Sequence, residues 1–224
     1  MDAIFFDLDG TLTDPKVGIT HCIQHALGEL GATQPDADEL TWCIGPPLLE
    51  SFKSMLGDDA LAKAALKHFR ARFSEVGLFE NKLYMGVPEA LGRLSGKDVS
   101  LYVATSKPQV YAERIVEHFG LNAFFKGVFG PTLQGDRAIK TDLLRWALDE
   151  TRVKADASVM VGDRSHDMVG ATDNGMRAVG VLYGYGCREE LETSGAELLV
   201  SNPDELSGLL DALGTAGQAG GEDS

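Results

Sequence analysis

Cations are in short supply. The chain sets 20 Lys and Arg against 34 Asp and Glu, a formal charge of −14 over 224 residues. A nucleic-acid binder needs Lys and Arg to neutralise phosphates, so that class of partner is excluded. No apolar run approaches the roughly 18 residues that a membrane span requires, and no membrane association is expected. Cysteine is scarce as well. Cys22, Cys43 and Cys187 are odd in number, far apart and without metal-ligand spacing. They read as packed thiols of a reducing cytoplasm, not as a disulfide scaffold or a zinc site. Met1-Asp2-Ala3-Ile4 carries no basic stretch ahead of its apolar residues, so no secretory leader is expected. Internal repeats are lacking too.

What is present is an ordinary soluble composition, 44% hydrophobic and 24% charged. The length fits one large domain, or one domain carrying a smaller insertion. Short apolar runs recur at Ala3–Phe6, Val99–Ala104, Gly127–Phe129, Val159–Val161, Ala178–Leu182 and Leu198–Val200. Runs of this kind suit strands covered on both faces, hence a parallel sheet. Helical patterns lie between them at Pro88–Leu94, Gln109–Phe119, Lys140–Glu150, Met168–Asn174 and Pro203–Leu213. The alternation predicts a doubly wound α/β sheet.

Residues 15–79 break that alternation. Val17, Ile19, Ile23, Ala26, Leu27 and Leu30 recur at helical spacing until Gly31; Leu48, Leu49, Phe52, Met55 and Leu56 form a second helical face, and Leu61–Phe73 a third. Helices inserted directly after the first strand read as a cap over that strand's carboxyl end. The expected division is a core of residues 1–14 and 80–213, a helical cap of 15–79, and a flexible tail of 214–224 with little to bury.

In an open parallel sheet, ligands bind outside the carboxyl ends of the strands. The first strand ends in Asp7-Leu8-Asp9, whose two carboxylates share a face of an extended chain. A neighbouring strand runs into Thr105-Ser106-Lys107-Pro108. Lys140 opens a helix, and Val159–Gly162 delivers Asp163, with Asp167 four residues on. An EF-hand fails here, because its sixth position is Leu12 and its twelfth Gly18. The residue set suits phosphoryl transfer through an aspartyl intermediate. A carboxylate attacks phosphorus without prior deprotonation. Mg²⁺ held by Asp7, Asp163 and the backbone carbonyl of Asp9 would neutralise the phosphate. Lys140 would neutralise a second phosphate oxygen or Asp7 itself, and Thr105 would donate a hydrogen bond. Asp9 could protonate the leaving alkoxide and then deprotonate the attacking water.

Asp7-Leu8-Asp9-Gly10-Thr11-Leu12-Thr13, Thr105-Ser106, Lys140 and Gly162-Asp163-Arg164-Ser165-His166-Asp167 resemble, in order, the four motifs of the haloacid dehalogenase superfamily. The resemblance covers nearly the whole chain, up to about Leu213. It implies a three-layer, Rossmann-like core with an inserted helical cap. It implies Asp7 as nucleophile, Asp9 as acid and base, Thr105, Ser106 and Lys140 as phosphate contacts, and Asp7, Asp9 and Asp163 at the metal. Asp167 matches the second acid of the fourth motif, either a ligand through water or an orienting partner. An aspartate at position 9 is what phosphatases and phosphomutases of the superfamily have and its dehalogenases lack. The implied activity is Mg²⁺-dependent hydrolysis of a small phosphorylated metabolite.

Ile44–Phe52, Tyr84–Val87, Gly162–Arg164 and Tyr183-Gly184-Tyr185-Gly186 look like the phosphoglycolate phosphatase-like group, in its 5′-nucleotidase-like branch. Gly45-Pro46-Pro47 is the part of the cap expected to face substrate. A phosphomutase, or a catalytically silent phosphate-binding or signalling protein, remains the alternative. Gly184-Tyr185-Gly186 does not complete a dinucleotide fingerprint, since the third glycine position is Glu189. Lys107 reads as facing the phosphate or as a solvated loop residue, and Arg164 as touching the cap or substrate or as pairing with an acid. His166, between Asp163 and Asp167, reads as solvent-facing or orienting ahead of a ligand. Lys63, Lys67, Arg70 and Arg72 read as an exposed helix face, and Phe5, Phe6 and Trp146 as core.

Overall fold

The computed structural model describes residues 1–209. Six strands form one parallel sheet: β1 Ala3–Phe6, β4 Ser100–Ala104, β5 Gly127–Phe129, β6 Ser158–Gly162, β7 Arg177–Val181 and β8 Leu198–Val200, in the order β5-β4-β1-β6-β7-β8. β1 is central. Phe6 is level with Val103 of β4 on one side and with Val161 of β6 on the other. The chain positions immediately beyond these three strand ends therefore come together, which is what brings Asp7, Thr105 and Asp163 to one crevice.

The period-2 geometry of β1 sorts its side chains between two layers. Ile4 and Phe6 join Leu101, Val103, Val159 and Val161 in one apolar cluster with Leu91 of α4 (Val87–Ser95) and Ile115 of α5 (Gln109–His118). Ala3 and Phe5 join Tyr102, Ala104 and Met160 in the other, against Leu143 and Leu144 of α6 (Lys140–Thr151) and Met168 of α7 (Ser165–Asp173). The result is the expected three-layer α/β core. Phe5 and Phe6 are fully buried, whereas Trp146 is half-buried, its indole N–H donating to Glu150.

Three helices follow the first strand: α1 Lys16–Glu29, α2 Leu48–Leu56 and α3 Asp59–Arg72. Each has a local cause. Gly31 and Gly57 take positive φ just past α1 and α2, and the Asp58 carboxylate accepts from the Leu61 N–H to start α3. The chain leaves and rejoins the sheet side by side, with β2 (Thr13–Asp14) antiparallel to β3 (Lys82–Leu83). The inserted helices share the apolar cluster on the Ile4/Phe6 side of the sheet, through Ile19, Phe52, Phe69 and Phe73.

Other details were not anticipated. α7 starts at Ser165, three residues ahead of the expected Met168, because Ser165, His166 and Asp167 carry no apolar period. A short α8 (Arg188–Thr193), a 3₁₀ turn at Ala37–Cys43 and a π-turn at Phe73–Gly77 also appear. Pro203–Gly208 is 3₁₀, not α. Residues 210–213 of that expected helix and the expected tail 214–224 lie outside the described residues. Among the described residues, no helix is long and apolar enough to cross a membrane.

Candidate active site

Asp7 follows β1 directly and is 3% exposed; Asp163 follows β6 at 1%, and Asp167 lies in the first turn of α7 at 0%. One oxygen from each of these carboxylates lies within 4.8 Å of the others. Lys140, the first residue of α6, reaches under them. Its ammonium group is 2.9 Å from Asp7 Oδ1 and 2.7 Å from Asp167 Oδ1, and donates to the Ala104 carbonyl at 2.9 Å. The ammonium thus donates to Asp7 and to the Ala104 carbonyl and is ion-paired with Asp167. Of the two roles read for Lys140, the geometry serves the neutralising of Asp7.

The charge balance is unfavourable without a cation. Burial pushes Asp163 well above the usual carboxylate range, and neighbouring Asp167 and Asp7 push the same way. Burial also raises Asp7, against the opposing pull of Lys140. For Asp167, burial is outweighed by Lys140 and His166, and its carboxyl is held low. Three buried carboxylates share one lysine, so the cluster fits a divalent cation, and its all-oxygen donors suit a hard one.

The loops around Asp163 are shaped for close approach. Its Oδ2 accepts the Tyr185 N–H at 2.8 Å, and the Thr11 hydroxyl faces Oδ1 at 3.5 Å. Gly10 sits at φ +86°, and a Cβ there would come within 2.1 Å of Asp163 Oδ2. A Cβ on Gly184 would lie 2.4 Å from both the Asp163 Cβ and the Gly10 carbonyl oxygen. Tyr183-Gly184-Tyr185-Gly186 is thus a wall of the carboxylate site: the Tyr183 hydroxyl donates to Thr11 O at 3.0 Å, and the Tyr185 hydroxyl to Asp14.

Asp9 is separate from the three-carboxylate group. Its Oδ2 is 2.6 Å from Lys107 Nζ, and its Oδ1 is buried without a hydrogen-bond partner. Lys107 is 8% exposed, with its ammonium 4.7 Å from the centre of the Phe73 ring. It is therefore not a solvated loop residue. The pairing was hard to foresee because Asp9 and Lys107 lie on different strand ends. Thr105 is buried and accepts the Lys107 N–H at 3.2 Å, while half-buried Ser106 lines a cavity beside it.

That cavity, about 490 Å³, opens above Asp9 between the strand ends and the inserted helices. Gly45, Pro46 and Pro47 line it, with Leu66, Phe69 and Phe73. Arg70 and Arg72 depart from the expected exposed face. Arg70 donates to Leu133 O at 2.9 Å, and Arg72 grips Glu80 with two hydrogen bonds of 2.7 and 3.1 Å; Lys63 and Lys67 are exposed. Arg164 reaches the inserted segment, donating to the Ile44 carbonyl at 2.9 Å, and pairs with Glu190 at 3.0 Å. His166 is half-buried, with Nε2 3.7 Å from Asp167 Oδ1.

Set against known proteins, residues 4–181 match the haloacid dehalogenase-like hydrolase family. The chain belongs to that family. Among its relatives is a 5′-nucleotidase of Pseudomonas aeruginosa, 48% identical over 189 residues, spanning 84% of this chain and 86% of that one. Another is the tyrosine-protein kinase PtkA of Mycobacterium tuberculosis, 39% identical over 94% of this chain and 72% of its own length. A crystal structure of a predicted phosphatase from Clostridium acetobutylicum superposes with a TM-score of 0.90 at 38% identity, covering 94% of this chain and 98% of that one. This haloacid dehalogenase-like hydrolase is accordingly a hydrolase of phosphoric monoesters.

Proposed function

We propose that the chain is a cytoplasmic, Mg²⁺-dependent phosphomonoesterase of 5′-nucleotidase-like specificity, working through a phosphorylated Asp7. The observation that carries this reading is the buried trio Asp7, Asp163 and Asp167 with Lys140 beneath it. Asp7, Asp163 and the Asp9 carbonyl would hold the ion, with Asp167 acting through water or through Lys140. Bound Mg²⁺ supplies positive charge that screens the phosphate dianion from the carboxylates. Lys140 holds the Asp7 carboxylate in one orientation, so that its free oxygen faces the phosphate. As the bond from Asp7 to phosphorus forms, the ester P–O bond breaks, and the departing alkoxide takes the Asp9 proton. Water then attacks phosphorus and gives a proton back to Asp9, and the Asp7–phosphorus bond breaks to release phosphate. Thr105 and Ser106 would donate to the phosphate oxygens. Three unpaired cysteines suit a reducing compartment.

The cap assignment of residues 15–79 belongs to the same reading: helices α1–α3 would carry the walls that select the non-phosphate half. The cavity supports a nucleoside over a glycolate. Its lining is mostly apolar, with Leu48, Leu49, Leu66, Phe69, Phe73 and Tyr111 along it.

The test is phosphate release from nucleoside 5′-monophosphates, phosphoglycolate and sugar phosphates with Mg²⁺. Turnover of the nucleotides with the best kcat/KM is expected, and none by Asp7→Asn. Absence of turnover on every ester, or full activity in Asp7→Asn, would overturn the reading.

A further inference from the structure

Lys107 is not accounted for by the reaction above. It is a buried cation beside an apolar cavity, and among the described residues it is the only side chain paired with Asp9. Several contacts fix it. Its backbone N–H is held by the Thr105 hydroxyl, the next residue is Pro108, and its ammonium sits over the face of Phe73. Phe73 is itself clamped, stacked on Phe69 at 5.1 Å between ring centres and edge-on to Tyr111 at 5.4 Å. The carboxylate it holds is otherwise unsupported: Asp9 Oδ1 has no partner, and without Lys107 neither oxygen would be anchored. Without that anchor, a carboxylate lining the floor of the 490 Å³ cavity is free to turn away from a substrate oxygen. A proton donor displaced by 1 Å loses much of its effect.

We infer that Lys107 is a positioning residue for Asp9. It fixes the carboxyl group at the cavity floor where the ester oxygen departs, and the aromatic stack at the exit of α3 seats the lysine in turn. This inference rests on the proposed role of Asp9 as the acid for leaving-group departure. It differs from a phosphate contact, because in this geometry the ammonium is committed to Asp9 and to the ring.

The experiment separates positioning from binding and from folding by varying the leaving group. p-Nitrophenolate departs without protonation, whereas the alkoxide of a nucleoside 5′-monophosphate needs the acid. kcat/KM is compared because it covers the steps through departure of that group. In Lys107→Met, kcat/KM for the nucleotide should fall about 10²-fold, the low end of what general acid catalysis contributes, and that for p-nitrophenyl phosphate by less than about fivefold. Lys107→Arg should recover the nucleotide reaction to within about tenfold of wild type. Near-normal turnover of p-nitrophenyl phosphate also shows that the variant is folded. Equal losses on both esters would mean a substrate-binding or structural lysine and overturn the inference; so would unchanged activity on both. If the wild-type protein hydrolyses neither ester, it is the phosphatase reading that fails.

Discussion

The floor of the site and the wall above it are built on opposite principles. The floor gathers Asp7, Asp163, Asp167 and Lys140 from two strand ends and two helix starts, buries them, and ties each to a fixed partner. The wall, from Gly45–Leu49 and the Leu66–Phe73 face of α3, offers mainly carbon, with its arginine already bound to a backbone carbonyl. Chemistry needs charges held where they repel one another, which only a rigid sheet can enforce. Selection of a substrate's organic half needs area and shape, and helices with an amphipathic stripe supply those. A change at the floor should therefore cost rate on every substrate, and a change at the wall should cost only some of them.

The most severe way to test that separation is Asp7→Asn. It should lower kcat by at least about 10⁴-fold on nucleotide and p-nitrophenyl phosphate alike, as expected for loss of a nucleophile. Chelation comes next. EDTA should reduce turnover at least about 10³-fold, equivalent to several kcal/mol of charge stabilisation, and added Mg²⁺ should restore it. The same cation should raise the thermal midpoint of wild type by several degrees at saturation, and that of Asp163→Asn hardly at all. Calorimetry with and without Mg²⁺ reads the difference.

The wall gives smaller, selective effects. Phe69→Ala removes a ring from the cavity and should raise KM for a nucleoside monophosphate about tenfold while moving that for inorganic phosphate inhibition little. Comparable losses for both ligands would show that wall and floor are not separable. The smallest effect concerns the stem of the insertion. Glu80 is held below the usual carboxylate range by its hydrogen bonds to Arg72. A lowered folded-state pKa adds stability above the unfolded value near 4.3, and that contribution disappears as pH falls through the folded one. Glu80→Gln should cost about 1 kcal/mol at pH 7 and progressively less below pH 4, as followed by urea denaturation.

The same contrast explains what could be read from the sequence. Asp7, Thr105 and Asp163 were legible because each follows an apolar strand, and a polar residue in that position has few structural uses: Asp7 after Phe6, Thr105 after Ala104 and Asp163 after Gly162. The strands were legible for the same reason, as continuous runs buried on both faces. Lys107 was not, because its meaning depends on Asp9 and Phe73, which reach it from other parts of the chain. Arg70 and Arg72 were misread as a solvated face, since helical periodicity says which side of a helix is apolar but not which carbonyl or carboxylate will lie opposite. The start of α7 was hidden because its first turn is occupied by site residues, which follow the chemistry of the pocket rather than an apolar stripe.

Gly10 and Gly184 press on Asp163 from two loops far apart in the chain, and also on each other. They consequently form one steric unit with the carboxylate. An added methyl at either site displaces the same acid, and a second change elsewhere could not make room without opening the backbone contact between them. Tolerance to variation here should follow spatial contact, not sequence neighbourhood. A saturation library would find positions 10, 163 and 184 accepting almost nothing, while His166, three residues from the acid in the chain, accepts far more.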